Sequence, residues 1–327
     1  MVTGGSGFIG SAFIRTRSSS DDVVNIDIGT YAADPRRLTG TEINTITMDV
    51  TDAGLVDLLS DLKPRVVFHF AAETHVTRSE SAPDIFFRNN VEGTRNLLAA
   101  AEGTGVELLV HISTDEVYGP ASGSPFKESD KQPGEGLATS AYARSKALAD
   151  DLASGCKGVP VIVVRPTNCF GPWQHPEKAI PRWATRALRG EPIPVWGDGL
   201  YVRDWMYVDD ACAAVSLIAD RGRPGEIYNV GPEGDVRANL DIARIVARAA
   251  GVPEDRIYLT AYDRPLHDRR YAVDSTRLRA LGWNTTSSLE ERVEQTVDWY
   301  RDNREWWEPM IEESEALYPD DRARERT

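Results

Sequence analysis

Short apolar runs alternate with longer stretches of mixed character along the first half of the chain. The runs have the length and near-continuous hydrophobicity of strands that are buried on both faces, as in a parallel sheet. The stretches between them repeat apolar residues at helical spacing, as Leu55, Leu58 and Leu62 do. The predicted strands are residues 23–27, 45–50, 65–70, 108–112 and 161–165, and the predicted helices are residues 51–62, 84–101 and one beginning near Tyr142. This alternation predicts an α/β fold with a doubly wound parallel sheet.

The chain has 327 residues, enough for two structural regions around a substantial core. The regular alternation ends near Pro166, and the pattern beyond it is less regular. We therefore predict that residues 1–166 form the domain that holds the sheet. Residues 167–327 are predicted to form mainly a smaller second domain, with some segments returning to the first.

The last long helix is predicted over residues 288–306, because Leu289, Val293 and Val297 recur on one face. That face should pack on the second domain. The tail from Glu312 onward is highly charged, and we expect it to fray.

Composition narrows the class of protein. A net charge of −14 argues against a nucleic-acid surface, although it allows a nucleotide ligand held by local cations. The three cysteines are scattered and odd in number, which predicts no disulfide framework and favours a reducing cytoplasm. No apolar run reaches transmembrane length, and no signal peptide precedes the start. The five histidines and three cysteines lack metal-ligand spacing, so no metal site is predicted.

Glycines at positions 4, 7 and 10 open the chain in a Gly-x-x-Gly-x-x-Gly pattern. Such glycines allow a tight turn and a close approach of backbone to a pyrophosphate at a helix N-terminus. The motif is weak alone, but a helical stretch and a strand ending in Asp27 follow at the spacing of a ribose-binding carboxylate. Without the glycines, Asp27 would be a turn former at a strand end. The first strand is short, because only Met1 and Val2 precede Thr3, so either the start is trimmed or this strand is unusually short.

An acidic pair, Asp115 and Glu116, follows the predicted strand 108–112. Adjacent residues on a continuing strand point to opposite faces, so the two carboxylates could not then share a pocket. If the chain turns at the carboxyl end of the strand, both can face the cleft where open α/β sheets bind ligands. An isolated pair of this kind is more often a solvated loop.

Tyr142 and Lys146 lie four residues apart, on one face of a predicted helix. The spacing occurs by chance in many helices, but behind a dinucleotide loop it acquires a chemical meaning. A tyrosine with a pKa of about 10 is a poor base unless a cation stabilises its phenolate. Lys146 and a positive nicotinamide ring can provide that stabilisation.

The second half mixes cations, amides and aromatic rings at several points, which suits a sugar nucleotide. Cations can bind its pyrophosphate, and rings can stack on its base. Taken singly, Arg203 or Arg264 would more often be a surface salt-bridge residue.

Together these segments resemble the extended short-chain dehydrogenase/reductase family, over nearly the whole chain. The most specific parts are Thr114–Gly119, the Tyr142/Lys146 pair, Pro176–Lys178 and Arg264–Asp268. Within that family the chain is similar to the branch that dehydrates dTDP-glucose. Epimerases and decarboxylases of the same fold usually lack an aspartate at position 115.

The resemblance implies a Rossmann-type domain, tightly held NAD and a lyase reaction without net redox change. Tyr142 would take the proton of the glucose 4-hydroxyl as NAD accepts a hydride from C4, while Thr114 hydrogen-bonds that hydroxyl. Lys146 would hold the phenolate and the nicotinamide ribose. Glu116 would remove the C5 proton and Asp115 would protonate the departing 6-hydroxyl, after which the hydride returns to C6. The product is the 4-keto-6-deoxy sugar.

The same resemblance implies the binding residues. Those expected near the cofactor are Gly4, Gly7, Phe8, Ile9, Gly10, Asp27, Asp49, Val50, Ala71, Ala72, Asn89, Tyr142, Lys146 and Cys169. Those expected near the nucleotide sugar are Thr74, Thr114, Asn168, Lys178, Ala179, Pro194, Val195, Trp196, Arg203, Asn239, Arg264 and His267.

The chain departs from the family pattern at a few positions. Cys169 replaces an asparagine, Asn89 a small hydroxyl residue and Leu266 a glycine, and the loop over residues 134–140 is lengthened. The first two departures lie among the expected cofactor contacts and the third at the nucleotide end. None removes a catalytic group.

Two other functions remain open. One is an epimerase or decarboxylase acting on another nucleotide sugar, which an intact Asp115 and Glu116 disfavour. The other is a catalytically silent NAD-binding regulator, which would be expected to have lost Tyr142, Lys146 or a carboxylate. By the same resemblance we expect a homodimer. The composition predicts a cytoplasmic location and no nucleic-acid or membrane partner.

Overall fold

The structure is a computed structural model, and it describes residues 1–121, 123–130, 140–232, 236–261 and 269–318. Arg264, Leu266, His267 and most of the loop over residues 134–140 lie outside the described residues. Within the described ranges, no helix combines the length and hydropathy that crossing a membrane requires. The same part of the chain contains no group of three or more His, Cys, Asp or Glu able to hold a metal ion.

Seven parallel strands form the central sheet, in the order β10-β6-β5-β4-β1-β2-β3. Their bounds are β1 Val2–Thr3, β2 Val24–Asp27, β3 Asn44–Thr47, β4 Val66–His69, β5 Leu108–Ile112, β6 Val161–Pro166 and, from the second half, β10 Ile227–Val230. Chain order reverses between β1 and β4, which makes this a doubly wound sheet with its switch point beside the glycine loop. The fold class expected from the sequence is confirmed.

Helices cover both faces of this sheet. They are α1 Phe8–Arg17, α2 Leu55–Leu62, α3 Val76–Ser81, α4 Pro83–Phe86, α5 Gly93–Ala101, α6 Ala141–Gly155 and α8 Val208–Arg221. The predicted helix 84–101 is divided: a π-helical turn, Phe87–Glu92, separates α4 from α5. Such turns often mark functional sites, and this one carries Asn89.

The rest of the second half forms smaller sheets and a helical layer. The strands are β7 Asn168–Phe170, β8 Ile193–Trp196, β9 Val202–Tyr207, β11 Val236–Ala238 and β12 Ile257–Thr260. The helices are α7 Ala179–Leu188, α9 Asn239–Ala250, α10 Thr276–Arg279, α11 Leu289–Asp302, α12 Arg304–Trp307 and α13 Ile311–Ala316. Here β7 and β11 flank β9, and β8 pairs with β12. Their own apolar cluster centres on α7, α9 and α11.

The strand after Pro166 that returns to the first domain is β10, and it extends the sheet beyond β6. Strand 161–165 therefore does not close the sheet. Helix α8 packs against α1 on the same side, with Ile14, Val215 and Ile218 in one apolar cluster. Two segments from the second half, β10 and α8, thus join the central sheet and its helical layer.

The charged tail does not fray over its described part. Glu315 is only 6% exposed and accepts hydrogen bonds from Arg182 and Arg186. The expectation that the tail frays was therefore wrong for residues 312–318. Charge excludes a segment from the interior only when no opposite charges are buried with it.

Candidate active site

A cavity of about 430 Å³ opens at the carboxyl ends of β1, β2, β4, β5 and β6 and extends to residues of the second half of the chain such as Trp196 and Asn239. This is where open α/β sheets bind ligands. The predicted residues that line it are Gly4, Gly7, Phe8, Ile9, Gly10, Asp27, Asp49, Val50, Ala71, Ala72, Thr74, Asn89, Thr114, Glu116, Tyr142, Lys146, Asn168, Cys169, Lys178, Ala179, Trp196, Arg203 and Asn239.

Three predicted residues within the described ranges do not line the cavity. Asp115 is buried next to Thr114, and Thr114 itself lines the cavity. Val195 is fully buried in the core of the second domain. The carbonyl of Pro194 accepts a hydrogen bond from the Trp183 indole at 2.7 Å. Strand β8 alternates its faces, so Trp196 reaches the cavity while Val195 packs inward.

The glycine loop is shaped by close backbone contacts. A Cβ at Gly4, whose φ is +72°, would lie 2.6 Å from the Ala71 nitrogen, and one at Gly10 would lie 2.3 Å from the Gly4 carbonyl. No described side chain caps α1, whose first residues line the cavity. A helix N-terminus whose amides are not capped by a side chain fits the pyrophosphate of a dinucleotide.

Asp27 stands at the end of β2 with its carboxylate held in place. One oxygen accepts from the Ser6 amide at 2.9 Å and the other from the Gly29 amide at 2.9 Å. Its remaining lone pairs can accept from ribose hydroxyls, and neighbouring Ile28 offers an exposed apolar surface in the same cavity. These residues fit the adenosine half of NAD.

Asp49 lies further along the same wall. Burial opposes its ionisation, but hydrogen bonds from Thr51 and Arg88 outweigh burial and hold the pKa of the carboxyl below its ordinary value. An ionised Asp49 can accept from an amino group of a bound base.

Arg37 lines the cavity beside the glycine loop, although the sequence analysis did not select it. Its guanidinium donates to the carbonyls of Ser6, Ala32 and Trp173 at 2.9, 2.5 and 3.1 Å. Burial lowers the pKa of Arg37 to about 10. Trp173 has a positive φ of 68°, which is rare for a large side chain. Only the folded chain brings these segments together.

The chain turns directly after β5 instead of continuing as a strand. Of the two alternatives for Asp115 and Glu116, this is the second. Residues Asp115–Tyr118 form a 3-10 turn, and the Thr114 hydroxyl accepts from the Glu116 amide at 3.3 Å. The turn places Glu116 on the cavity wall and Asp115 behind Thr114.

Asp115 is almost fully buried. Its Oδ1 accepts from the Thr114 hydroxyl at 3.3 Å, and its Oδ2 has no hydrogen-bond partner within the described ranges. Burial, followed by the charges of Glu116 and Asp204, raises the pKa of Asp115 well above its ordinary value, and Arg203 opposes the shift only in part. Burial thus favours the protonated form of Asp115 beside a second carboxyl, the arrangement of a general acid next to a base.

Replacing Asp115 with asparagine should stabilise the fold at neutral pH. The unfolded carboxyl ionises near pH 3.9, whereas the folded one keeps its proton to higher pH, so the wild-type protein loses stability as pH rises from about 4 toward the folded pKa. Asp115→Asn does not titrate. Its melting temperature should therefore match the wild type near pH 4 and exceed it at pH 7.

Thermal melts of both proteins at the two pH values test this. The exposed Asp57, changed to asparagine, is the matched control and should show no such pH-dependent gap. If the difference in melting temperature between Asp115→Asn and the wild type does not grow from pH 4 to pH 7, Asp115 ionises normally.

Tyr142 and Lys146 lie on the first turns of α6, whose start is capped by Ser140 accepting from the Ala143 amide at 3.0 Å. The Lys146 ammonium donates to the Ile112 carbonyl at 2.7 Å. Burial lowers the pKa of Lys146 to about 8, opposed by Asp150.

The Tyr142 phenol is protonated in the protein alone. Burial and the Glu116 charge raise its pKa, and a hydrogen bond with Thr114 lowers it only partly. A phenolate therefore requires positive charge that the bound cofactor brings, which agrees with the position of Tyr142 in the same cavity as the glycine loop.

Two of the departures from the family pattern, Asn89 and Cys169, line this cavity. The Asn89 amide lies 3.5 Å from a Glu73 oxygen. The Cys169 thiol donates to the Thr167 carbonyl at 3.5 Å, and burial raises its pKa to about 12, so it stays neutral. Asn89 and Cys169 can each offer a hydrogen bond at the place where the family uses another polar group.

Glu177, within the Pro176–Lys178 motif, is a buried carboxylate whose position in the cavity its sequence pattern did not predict. It is 3% exposed, lines the cavity and accepts from the Tyr31 hydroxyl at 3.1 Å. Lys178 lies 3.6 Å from it, and His75 and His175 lie 3.7 Å from it. Glu177 thereby ties the loop after β2 to the segment before α7.

Comparison with known proteins identifies the family to which the chain belongs. Residues 1–231 match the NAD dependent epimerase/dehydratase family. A dTDP-glucose 4,6-dehydratase of Streptomyces antibioticus is 42% identical over 329 residues, which cover 95% of this chain and 94% of the relative. The low-salt glycan biosynthesis protein Agl12 of Haloferax volcanii is 41% identical over 310 residues, which cover 92% of this chain and 97% of Agl12.

Solved structures agree with the sequence relatives. The dTDP-glucose 4,6-dehydratase DesIV of Streptomyces venezuelae, with NAD and dTDP bound, matches at a TM-score of 0.89 and 38% identity, covering 94% of this chain and 98% of that one. A UDP-glucose 4-epimerase of Thermus thermophilus in complex with NAD matches at a TM-score of 0.84 and 29% sequence identity. The match covers 92% of this chain and 98% of the epimerase chain. The chain belongs to the NAD-dependent epimerase/dehydratase family, which confirms the resemblance drawn from its motifs.

Proposed function

We propose that this protein is an NAD-dependent lyase that dehydrates dTDP-glucose to the 4-keto-6-deoxy sugar. The observation that carries the proposal is the acidic turn after β5, where the buried Asp115, whose pKa is raised by burial, adjoins the cavity-lining Glu116 within reach of Tyr142. The relatives named above include dTDP-glucose 4,6-dehydratases at about 40% identity over most of the chain.

The side chains divide the work as follows. Tyr142 receives the proton of the 4-hydroxyl, and Thr114, which bonds both Tyr142 and Asp115, orients that hydroxyl. The resulting 4-ketone acidifies C5, from which Glu116 removes a proton. Asp115 gives its proton to the leaving 6-hydroxyl, so one water departs. NAD, when bound, would supply the oxidation at C4 and the matching reduction at C6, so the reaction has no net redox change, and C5 regains its proton from Glu116.

Each half of the chain serves one ligand in this proposal. Residues 1–166, completed by α8 and β10, hold NAD through the glycine loop, Asp27, Asp49, Val50, Ala71, Ala72, Asn89 and Cys169. Residues 167–327 mainly hold the nucleotide sugar through Asn168, Lys178, Ala179, Trp196, Arg203 and Asn239, with Thr74 from the first half. We further propose a homodimer, and a cytoplasmic location because all three cysteines are free.

A turnover assay across dTDP-, UDP-, CDP- and GDP-glucose tests the function. The 4-keto-6-deoxy product absorbs in alkali, so product formation is read directly. We expect turnover with dTDP-glucose. An epimerase would give a C4-inverted sugar and no keto band, and a silent NAD-binding regulator would give no product at all.

The bound cofactor should be NAD rather than NADP. The Asp27 carboxylate would repel a 2′-phosphate, and both of its oxygens are already fixed by backbone amides. Extraction of purified protein followed by mass analysis should recover NAD. Recovery of mainly NADP would show that Asp27 does not face the ribose.

A further inference from the structure

Arg37 is a buried cation whose hydrogen bonds go to neutral groups. Its side chain is 2% exposed, and its guanidinium donates to the carbonyls of Ser6, Ala32 and Trp173. These bonds use Nε and Nη1, and among the described residues Nη2 has no hydrogen-bond partner. Burying a charge is unfavourable unless an opposite charge is buried with it.

The carboxylates that attract Arg37 are engaged elsewhere. Within the described ranges none lies at ion-pair distance from its guanidinium, and Asp34 and Asp27 act on it from farther away. Asp34 pairs with Arg36 at 2.7 Å and accepts from the Trp306 indole at 2.6 Å. Asp27 accepts from two backbone amides. The protein alone therefore compensates the positive charge of Arg37 only in part.

The position of Arg37 indicates where a further negative charge would come from. Arg37 lines the cavity together with Gly7, the N-cap of α1, and Phe8, the first residue of that helix. The first turn of α1 contains no acidic residue. The amides of a helix N-terminus favour an anion, and a buried guanidinium beside them adds a full positive charge. In a member of the NAD-dependent family, the anion expected here is the diphosphate of the cofactor.

We infer that Arg37 supplies the counter-charge for the diphosphate of bound NAD, and that the diphosphate in turn compensates a charge that the protein alone leaves buried. Arg37 is thus a cofactor-binding residue in addition to the glycine loop. Because Arg37 also bonds the Trp173 carbonyl, bound NAD stabilises the contact between the glycine loop and that segment of the second half. The inference concerns the cofactor site and holds for any sugar nucleotide that the protein converts.

Titration calorimetry with ADP-ribose and with adenosine tests this on the full chain freed of NAD. ADP-ribose carries the same diphosphate as NAD, whereas adenosine carries none. Arg37→Gln keeps hydrogen-bond donors but loses the charge. It should bind ADP-ribose about 10–100-fold more weakly, the size of one lost charge-assisted hydrogen bond, and adenosine as the wild type does. Arg37→Lys keeps the charge and should preserve the ratio of the two affinities within about threefold.

Arg36→Gln is the matched control. Arg36 lies on the same 3-10 turn, Pro35–Leu38, and its replacement changes the net charge equally, but it is exposed and does not line the cavity. This variant should bind both ligands as the wild type does.

Thermal melts provide a second measurement. A ligand that binds only the folded state raises the melting temperature, so saturating NAD should stabilise the wild type and Arg37→Lys more than Arg37→Gln. Undiminished ADP-ribose affinity in Arg37→Gln, an equal loss of adenosine affinity, or an equal loss in Arg36→Gln would each overturn the inference. If Arg37→Gln does not fold, Arg37→Lys decides: a preserved affinity ratio supports the inference, and a ratio lowered about tenfold overturns it.

Discussion

Tyr142→Phe should abolish oxidation of the substrate at C4, so no reduced cofactor forms when the enzyme is mixed with dTDP-glucose. Phenylalanine keeps the ring but lacks the oxygen that takes the hydroxyl proton. Loss of a positioned acid or base typically costs about 10²–10⁴-fold in rate. Stopped-flow absorbance at the band of reduced nicotinamide reads this step directly.

Glu116→Gln and Asp115→Asn should separate oxidation from elimination. Each keeps its side-chain shape but cannot exchange the proton, so C4 oxidation continues while loss of water becomes limiting. Reduced cofactor should then accumulate on the enzyme, with product formation slowed about 10²–10⁴-fold.

Tyr118→Phe is the matched control for this experiment. Tyr118 lies on the same 3-10 turn as Asp115 and Glu116, but it does not line the cavity. Its hydroxyl donates a hydrogen bond to Asn229 at 2.8 Å. It should oxidise and dehydrate the substrate at nearly the wild-type rate. Normal cofactor reduction in Tyr142→Phe, or a wild-type rate of product formation in Glu116→Gln, would contradict the assigned roles.

Asp150→Ala should destabilise the protein by about 3–5 kcal/mol, because it leaves the Arg165 guanidinium buried without its partner charge. Asp150 accepts two hydrogen bonds from Arg165, both at 2.9 Å, and both residues are essentially inaccessible to solvent. The pair joins α6, which carries Tyr142 and Lys146, to β6. Urea denaturation measures the loss as a fall in the free energy of unfolding.

Asp151→Ala provides the control, since this aspartate is the next residue of α6 but is exposed. It should change the free energy of unfolding by no more than about 0.5 kcal/mol. Equal stability of the two variants would show that water reaches Arg165 and compensates its charge.

Much of the fold could be predicted because its pattern is local. The run 108–112 is apolar because a parallel strand is covered on both faces, so its burial is visible in the residues themselves. The division of helix 84–101 by a π-helical turn was not visible, because one extra residue in a helical turn leaves the apolar spacing nearly unchanged. The return of β10 to the sheet was expected only in outline, since pairing between strands far apart along the chain leaves no mark on either one.

The candidate site divides in the same way. Gly4 and Gly10 were identified from the spacing of the glycines, which the structure explains because close backbone contacts exclude any Cβ there. Tyr142 and Lys146 were identified because a helix turns every 3.6 residues. Arg37 and Glu177 were missed as cavity residues. Each owes its position to partners from other segments, such as Trp173 and Tyr31, and residues of their type are usually exposed.

The sequence by itself determined the parallel sheet, the dinucleotide loop and the types of group available for proton transfer, because each depends on residues close together in the chain. Only the tertiary structure decided how two adjacent carboxyls differ. Burial, followed by the charges of Glu116 and Asp204, raises the pKa of Asp115, while Glu116 lies on the cavity wall. The tertiary structure also decided the fate of the C-terminal segment, since the charges of Glu315 become compatible with burial only where Arg182 and Arg186 are buried with it.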